Sequence, residues 1–392
     1  MRIVIATETL NRDGGTAAHV LDSAYALQDA GEDVLLVVGN SGSHELRSDV
    51  IEISGLDRAP LCDEIRDAVL EAVRSFRPDA VHLHGLHDAP LVWRLREDAP
   101  VIWSVHNYVG CMTGLKYFGS GRECTRQHGL GCLPNIVFRG CDHRRIPQPS
   151  MMKYREIGRR LTALRAADAA VVYSKCMRRH LVQNGVTRVH VAPLFVEPPK
   201  DPVPLPTDKK MLFSGRLVPY KGVDVLIKAL TRVQDATLEI CGDGWGGASL
   251  RRQVVRLGVQ ERVSFLGWQD ASHMRDIYDR STCVVVPSLW PEPFGLVGVE
   301  AMARARPVIA SDTGGIREWL RDGETGYLVE PGNDVALASA IDRIFGNHTE
   351  ASAMGRRGAE VVKTFFSPAA FVTQILVAYH SAIDAWQLAW HP

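Results

Sequence analysis

The feature that most constrains the fold is a repeated alternation of short β-branched runs with turns and stretches of helical periodicity. This alternation is typical of βαβ units, in which consecutive strands join one parallel sheet. In the first half of the chain it predicts strands at residues 2–6, 33–38, 80–83, 101–105 and 169–173, and helices at 16–30 and 63–76. These elements together predict a doubly wound α/β domain.

A proline-rich segment separates this series from a second one. Six prolines fall within residues 193–206, where neither a helix nor a central strand is expected. The alternation then resumes, with predicted strands at 210–213, 237–241, 263–266, 282–286 and 307–310 and helices at 224–231, 250–257 and 296–304. A length of 392 residues also fits two domains better than one.

We therefore expect an α/β protein with two doubly wound, Rossmann-like domains. The first spans residues 1–197 and the second residues 205–370, while a closing helix at 371–392 is expected to pack back on the first domain. Open α/β sheets bind ligands at the carboxyl ends of their strands. The cleft between the two domains is accordingly the predicted active site.

The composition excludes several classes of protein. Hydrophobic residues make up 46% of the chain and charged residues 23%, which excludes a disordered or collagen-like chain. The first residues have the pattern of a buried strand and not of a signal peptide, and no uncharged apolar run reaches about 18 residues. The sequence therefore predicts a cytoplasmic protein, whose 8 cysteines do not form a disulfide framework.

Several glycines and cations follow predicted strands, where they suit a phosphate group. Gly14 and Gly15 lie between the first strand and its helix, and amide groups in such a loop can point at an anion. Arg216 and Lys221 follow the first strand of the second domain, and a guanidinium with an ammonium can hold a diphosphate. Alone, each of these features is equally compatible with an ordinary turn or a solvated side chain.

Another glycine-rich stretch formally matches G-x-G-x-x-G through Gly242, Gly244 and Gly247. A dinucleotide fingerprint would also need an acidic residue at the end of the following strand. That strand ends at Phe265, Leu266 and Gly267, which supply no acidic residue. We interpret these glycines as a turn near a nucleotide and not as an NAD site.

The most informative stretch is the loop and helix at residues 288–303, which contains two glutamates. A proline- and glycine-containing loop leads into a helix near Leu296, whose free N–H groups can receive an anionic or hydroxyl-rich ligand. Glu292 precedes the helix and Glu300 lies about one turn into it. A carboxylate accepts two hydrogen bonds from a vicinal diol, such as a ribose or a pyranose offers.

These motifs together resemble the retaining, nucleotide-sugar-dependent glycosyltransferases of family 4, also called glycosyl transferases group 1, which have the two-domain GT-B fold. The resemblance rests on Glu292 and Glu300 spaced E-x7-E, on Gly215-Arg216 with Lys221, and on Gly14-Gly15, and it covers nearly the whole chain. It implies a donor site that comprises Gly14, Gly15, Gly215, Arg216, Lys221, Gly242, Leu266, Glu292, Phe294, Gly295, Leu296 and Glu300.

The resemblance also implies roles for individual residues. Arg216 and Lys221 would bind the diphosphate and Glu300 the ribose, while Glu292 and the backbone amides of residues 294–296 would contact the donor sugar. His106, which follows a predicted strand, matches a family histidine that approaches the same sugar. The expected catalytic set is therefore His106, Glu292, Arg216 and Lys221.

The reaction implied is transfer of a hexosyl unit from a nucleoside diphosphate sugar, such as a UDP-sugar, to a hydroxyl acceptor with retention of anomeric configuration. The leaving diphosphate would help to deprotonate the acceptor, and no catalytic metal is expected. Two alternatives stay open: a sugar-nucleotide epimerase of the GT-B fold, and a non-catalytic, zinc-ordered binding protein. The donor, the acceptor, the linkage and the oligomeric state are not specified by the sequence.

An insertion at about residues 108–150 combines cysteines with positive charge and shows almost no helical or strand pattern. Cys111, Cys124, Cys132 and Cys141 could ligate a structural zinc, with His128 and His143 as replacement ligands, although redox pairing or free thiols are also compatible. This prediction lies outside the donor site.

The formal net charge of zero conceals a basic block. Residues 116–179 contain 14 Lys and Arg against 4 Asp and Glu, including Arg139, Arg144 and Arg145. Such a surface could attract an anionic acceptor or the inner face of a membrane, and a solvated helix face fits equally well. No nucleic-acid-binding motif accompanies the charge, so nucleic acid is not an expected partner.

Overall fold

The computed structural model describes residues 1–10, 15–42, 46–58, 60–116, 122–138, 141 and 150–390. The chain divides into two compact units. Unit 1 consists of Met1–Leu194 together with Pro368–Pro392, and unit 2 of Phe195–Ser367. The unit boundary falls near the start of the proline-rich segment at residues 193–206, between Leu194 and Phe195. Just after it, Val196 N–H donates a hydrogen bond of 2.9 Å to the carbonyl of Phe366 in unit 2.

Unit 1 is built on a seven-stranded sheet with the order β3-β2-β1-β4-β5-β6-β7. All of its strand pairs are parallel. The strands are β1 Arg2–Thr7, β2 Asp33–Val38, β3 Asp49–Glu52, β4 Ala80–His84, β5 Val101–Ser104, β6 Ala169–Val172 and β7 Val189–Val191. The helices are α1 Gly15–Asp29, α2 Asp63–Phe76, α3 Ala89–Leu95, α4 Cys132–Phe138, α5 Ser150–Ala166 and α6 Lys175–Gln183.

Burial explains why the central strands could be recognised in the sequence. In β1 and β2 every residue after the first is buried, as expected for strands covered on both faces. The edge strand β3 has no fully buried residue, so it lacks this signature and was not predicted. The insertion was predicted to have almost no regular structure, but α4 lies within it, which corrects that expectation.

Unit 2 repeats this architecture in a six-stranded sheet with the order β10-β9-β8-β11-β12-β13. Its pairs are likewise parallel. The strands are β8 Lys210–Ser214, β9 Thr237–Cys241, β10 Val263–Gly267, β11 Cys283–Val286, β12 Val308–Ser311 and β13 Gly326–Val329. The helices are α7 Val223–Leu230, α8 Gly247–Arg256, α9 Ala271–Asp279, α10 Leu296–Ala303, α11 Asp334–Gly346 and α12 His348–Phe365.

The last helix, α13 Pro368–Trp390, belongs to unit 1. Its residues Ile375, Ala378, Tyr379 and Ala382 are at most 1% exposed, and it contacts α1 and strands β4 to β6. The helical residues His348–Ala389 are long and apolar enough to cross a membrane by length and composition alone. In the structure, the buried face of α13 packs on the sheet of unit 1.

In each sheet the chain adds its first strands on one side and its later strands on the other. The switch lies between β1 and β4 in unit 1 and between β8 and β11 in unit 2. In open α/β sheets the crevice for ligands forms at such a switch point, outside the carboxyl ends of the strands. A ligand is therefore expected at the loops that follow these four strands.

Candidate active site

Two predicted site residues meet at the switch point of unit 2. Lys221 follows β8 and Glu292 follows β11, and the Lys221 ammonium donates a hydrogen bond of 2.6 Å to Glu292 Oε1. Glu292 is 3% exposed, and its Oε1 also accepts a hydrogen bond from the Ser288 hydroxyl. Lys221 additionally lies 5.5 Å from the centre of the Trp290 ring. A buried carboxylate is thus paired with a cation at the edge where a ligand is expected.

Glycines set the backbone around this pair. Gly222 has a φ of 70°, and a Cβ placed there would lie 1.9 Å from the carbonyl oxygen of Pro287. Gly314 has a φ of 60°, and its Cβ would lie 2.2 Å from the carbonyl oxygen of Glu292, which accepts a bond of 2.8 Å from Gly315 N–H. Neither position tolerates a side chain, so the loops bearing Lys221 and Glu292 are held close to their neighbours.

The glycine-rich turn after β9 packs against the loop that carries Arg216. Gly242 has a φ of 123°, and its Cβ would lie 2.0 Å from the carbonyl oxygen of Gly215. Gly215 N–H in turn donates a bond of 3.0 Å to the carbonyl of Cys241. Gly242 therefore allows the loops after β8 and β9 to touch, because any side chain at this position would clash with Gly215. This contact agrees with the interpretation of the glycine-rich stretch as a turn.

Arg216 itself is exposed, and it forms no ion pair within the part of the chain that the structure describes. Leu266 is half-buried in β10, where its carbonyl accepts a bond of 2.6 Å from the Gln269 side chain. The structure thus brings Lys221 and Glu292 together, whereas it leaves Arg216 facing solvent.

Glu300 lies on α10, and its Oε2 accepts a hydrogen bond of 2.7 Å from the Tyr278 hydroxyl. Burial, and then the charge of Glu300, raises the pKa of Tyr278 well above its usual value, so this hydroxyl stays a donor. The second carboxylate of the E-x7-E pair is therefore held by a hydrogen bond from a tyrosine of α9.

The start of α10 is fixed by Trp319. Gly295, the residue before the helix, has a φ of 89°, and the Trp319 indole N–H donates a bond of 2.7 Å to the carbonyl of Phe294. Phe294 is 1% exposed. The N–H groups that open a helix lack intrahelical partners, so Leu296 begins a helix whose N-terminus can bind an anion or a hydroxyl.

In unit 1, His106 follows β5 and sits in a cluster of neutral side chains. Its Nε2 lies 3.1 Å from His84 Nδ1, and its Nδ1 lies 3.0 Å from the Tyr173 hydroxyl. Burial lowers the pKa of His106 to about 4 and that of neighbouring His82 to about 3. His82 joins Tyr379 of α13, with 2.9 Å between Nδ1 and the hydroxyl. His106 is therefore an uncharged, positioned imidazole at neutral pH.

Gly15 is the first residue of α1, and a Cβ there would meet no atom of the described residues within 4 Å. Its role in binding a donor stays a prediction. Gly14, His143, Arg139, Arg144 and Arg145 lie outside the described residues.

The four predicted metal ligands, Cys111, Cys124, Cys132 and Cys141, line one small cavity in unit 1. In the described part of the chain no group of three or more His, Cys, Asp or Glu side chains is already arranged to hold a metal ion. The zinc site stays a prediction, and it is developed further below.

Sequence reasoning did not identify several of these partners. Ser288 and Trp290 lie in the loop at residues 288–303 and are not among the predicted site residues, although Ser288 lies only four residues before the glutamate that it contacts. Tyr278, Tyr173 and His84 carry no sequence signal of their own, since each reaches its partner only through the strand order.

Comparisons with known proteins agree with this geometry. A family described as "Glycosyl transferases group 1" matches residues 195–361, and one described as "Glycosyltransferase Family 4" matches residues 13–199. Sucrose-phosphate synthase from Thermosynechococcus elongatus has a similar structure, with a TM-score of 0.74 and 23% identity over 98% of this chain and all of the other. HepE of Anabaena, solved in complex with UDP-glucose, is also similar, with a TM-score of 0.69 and 19% identity over 97% of this chain and 100% of the other.

Two sequence relatives are more similar in identity but match shorter stretches. The D-inositol 3-phosphate glycosyltransferase of Corynebacterium glutamicum is 36% identical over 191 residues, 46% of this chain and 45% of the relative. An uncharacterized glycosyltransferase of Methanocaldococcus jannaschii is 36% identical over 143 residues, 36% of each chain. The matches thus span less than half of the length of these curated relatives.

The two doubly wound units and their structural neighbours define an α/β protein of the GT-B fold. Since the two family matches together extend from residue 13 to residue 361, the chain belongs to glycosyltransferase family 4.

Proposed function

We propose that this transferase moves a hexosyl unit from a nucleoside diphosphate sugar to a hydroxyl acceptor with retention of anomeric configuration. The observation that carries the proposal is the buried pair of Lys221 and Glu292 at the switch point of unit 2. It places a cation and a hydroxyl-binding carboxylate at the sheet edge where open α/β folds bind nucleotides.

The diphosphate of the donor is the natural second partner of Lys221. In the proposed reaction Lys221 and Arg216 stabilise the negative charge that develops on the leaving diphosphate. The exposed Arg216 guanidinium can add a bidentate contact to the phosphate oxygens. The residues after β8 thus supply charge, while the chemistry needs no resident metal.

The sugar and the ribose are assigned to the two glutamates. Glu292 accepts hydrogen bonds from hydroxyls of the donor sugar, and the amides at the start of α10 donate to its oxygens. Glu300 accepts from the ribose diol. In this assignment the Tyr278 hydroxyl, which donates to Glu300 Oε2 over 2.7 Å, orients the carboxylate. The neutral His106 contributes as a hydrogen-bonding group at the sugar and not as a charge.

Donor binding is tested first, by thermal unfolding with UDP, GDP and ADP and their common sugars. UDP-glucose heads the panel, since HepE of Anabaena was solved with it. A true donor raises the melting temperature. Lys221→Ala should abolish the rise, whereas Lys228→Ala, which removes an exposed lysine from α7, should preserve it. Equal shifts in both variants would refute the assignment of Lys221.

Transfer is tested next, with the donor found in that screen and a panel of hydroxyl acceptors. Several relatives are named D-inositol 3-phosphate glycosyltransferase, so the panel includes phosphorylated polyols. Release of nucleoside diphosphate only when an acceptor is present supports transfer, whereas acceptor-independent release supports an epimerase. The anomeric coupling constant of the product, read by proton NMR, tests retention.

A cytoplasmic location, with peripheral contact at the inner membrane face, belongs to the same proposal. It is supported by the charge of α5, which carries five Lys and Arg against one Glu. Sedimentation with vesicles containing anionic lipid, compared with neutral vesicles, tests the contact. Equal binding to both vesicles would contradict it.

A further inference from the structure

Four cysteines of unit 1 line one small cavity. The cavity measures about 20 Å³, and Cys111, Cys124, Cys132 and Cys141 form its wall together with Gly110, Met112, Lys116, Arg126 and Asn135. All four thiols are free. A space of this size holds about one water molecule or one ion. The fold thus gathers four thiols, which lie well apart in the sequence, around a space for a single particle.

The backbone around the cavity already supports thiolate ligands. Lys116 N–H donates to Cys111 Sγ over 3.3 Å, and Cys124 N–H donates a bond of 2.7 Å to the carbonyl of Lys116. Hydrogen bonds of this kind orient metal ligands. The Lys116 side chain is also buried, and its ammonium donates a bond of 2.6 Å to the carbonyl of Arg126. Its positive charge offsets part of the negative charge of a tetrathiolate centre.

We propose that Cys111, Cys124, Cys132 and Cys141 bind one zinc ion in a structural site. Four thiolates around zinc are a common structural set, and soft ligands favour this metal. Four S–H bonds break, four Zn–S bonds form and four protons leave to solvent. Because the thiols are not already arranged around a metal, binding draws them toward the cavity, as is usual when metal binding is coupled to folding.

The alternative ligand His128 takes no part in this wall. Its ring stacks on Tyr154 of α5 with 4.6 Å between ring centres. The cysteines are therefore the candidate ligands that face the cavity within the described residues.

The zinc site would also fix one wall of a larger pocket. Cys111 and Met112 line a second cavity of about 540 Å³ that begins at Asn107, the residue after His106. The same pocket is bounded by Lys153 and Arg160 of α5. A metal at the cysteines would hold Cys111 and Met112, which line both cavities, in place a few residues after His106.

The first test is the metal content of the full-length protein purified without chelators. We expect about one zinc per chain. Cys141→Ser should lose most of it, whereas Cys62→Ser, which alters an exposed cysteine outside the cavity, should retain it. Because a cysteine variant can fail to fold, the wild-type protein is also titrated with a thiol-specific mercurial, which should release zinc with four thiols modified per ion.

Replacement by cobalt gives an independent readout, since cobalt bound by four thiolates shows intense sulfur-to-metal charge-transfer absorption. Zinc-free protein that binds no cobalt would overturn the proposal, as would an intact mass showing two disulfides or the visible spectrum of an iron–sulfur cluster. Donor-induced thermal shifts depend on unit 2 and are measured separately. Failure of the zinc site therefore leaves the proposed function intact, and the reverse also holds.

Discussion

Replacing Glu292 by glutamine tests whether its pairing with Lys221 stabilises the candidate donor site. The Glu292 side chain is 5% exposed and that of Lys221 is 21% exposed. Glutamine keeps the shape of the side chain but removes its charge, so the ammonium loses its counter-ion at 2.6 Å. Breaking a fully buried pair costs about 3–5 kcal/mol. Because Lys221 still reaches water, we expect a loss of about 2 kcal/mol for Glu292→Gln.

The assay is a double-mutant cycle, in which urea unfolding gives the free energy of unfolding of each variant and thermal unfolding gives its melting temperature. A loss of about 2 kcal/mol should lower the melting temperature by about 4–8 °C for a unit of this size. Lys221→Met leaves the carboxylate of Glu292 buried without a cation and should cost about 3–5 kcal/mol. The double variant should be more stable than the sum of the single losses implies, by about 1–3 kcal/mol.

Additive losses would refute this reasoning, since they would mean that the two side chains do not interact in solution. Glu324→Gln is a suitable control, because its side chain is 64% exposed and lies 3.7 Å from Arg321. A surface pair of this kind contributes at most about 1 kcal/mol.

Three further predictions concern stability. Acidification from about pH 7.5 to about 5.5 should destabilise unit 1, because the folded pKa values of His82 and His106, about 3 and about 4, lie below the unfolded value near 6.5. The stabilisation from each neutral histidine is complete above the unfolded pKa. At the lower pH each histidine is protonated in the unfolded state, which lowers the free energy of unfolding by about 1.4 kcal/mol. Identical melting temperatures at the two pH values would contradict this. Gly222→Ala should cost about 2–4 kcal/mol in urea unfolding, because its φ is 70° and its Cβ would meet Pro287 O at 1.9 Å. Gly323→Ala, with a φ of 74° but open space, should cost only about 1 kcal/mol, and equal losses would disprove the steric argument. Tyr379→Phe should cost about 1–2 kcal/mol, since it leaves the buried His82 Nδ1 without its partner at 2.9 Å, and an unchanged melting temperature would exclude that hydrogen bond.

The buried strands could be predicted because their signature is local. The sequence predicts β2 and β9 with the bounds that the structure has, Asp33–Val38 and Thr237–Cys241. Strand β3 could not be found this way, because its exposed residues at the sheet edge need no apolar run. The family resemblance stated from the motifs is confirmed, and so is the fold of two parallel α/β sheets.

The site was predictable only to the level of the sheet edge. Sequence motifs place Lys221 and Glu292 after strands, but their contact depends on β11 lying beside β8, which is a property of the strand order. Tyr278 and Tyr379 illustrate the same limit. The hydroxyl of each makes a hydrogen bond across a tertiary contact, and an isolated tyrosine in a helix has no pattern that reveals such a partner.

The return of α13 to unit 1 has a consequence for biosynthesis. Helix α13 covers strands β4 to β6, yet it follows the whole of unit 2 in the chain. At translation rates of about 5–20 residues per second, the ribosome needs roughly 10–35 s to pass from the end of β7 to α13. During that interval the nascent first sheet displays an apolar face and the ring of His82 without their final cover. A ribosome-bound chain at this stage is therefore a natural client for a chaperone, and truncation before α13 leaves that face bare.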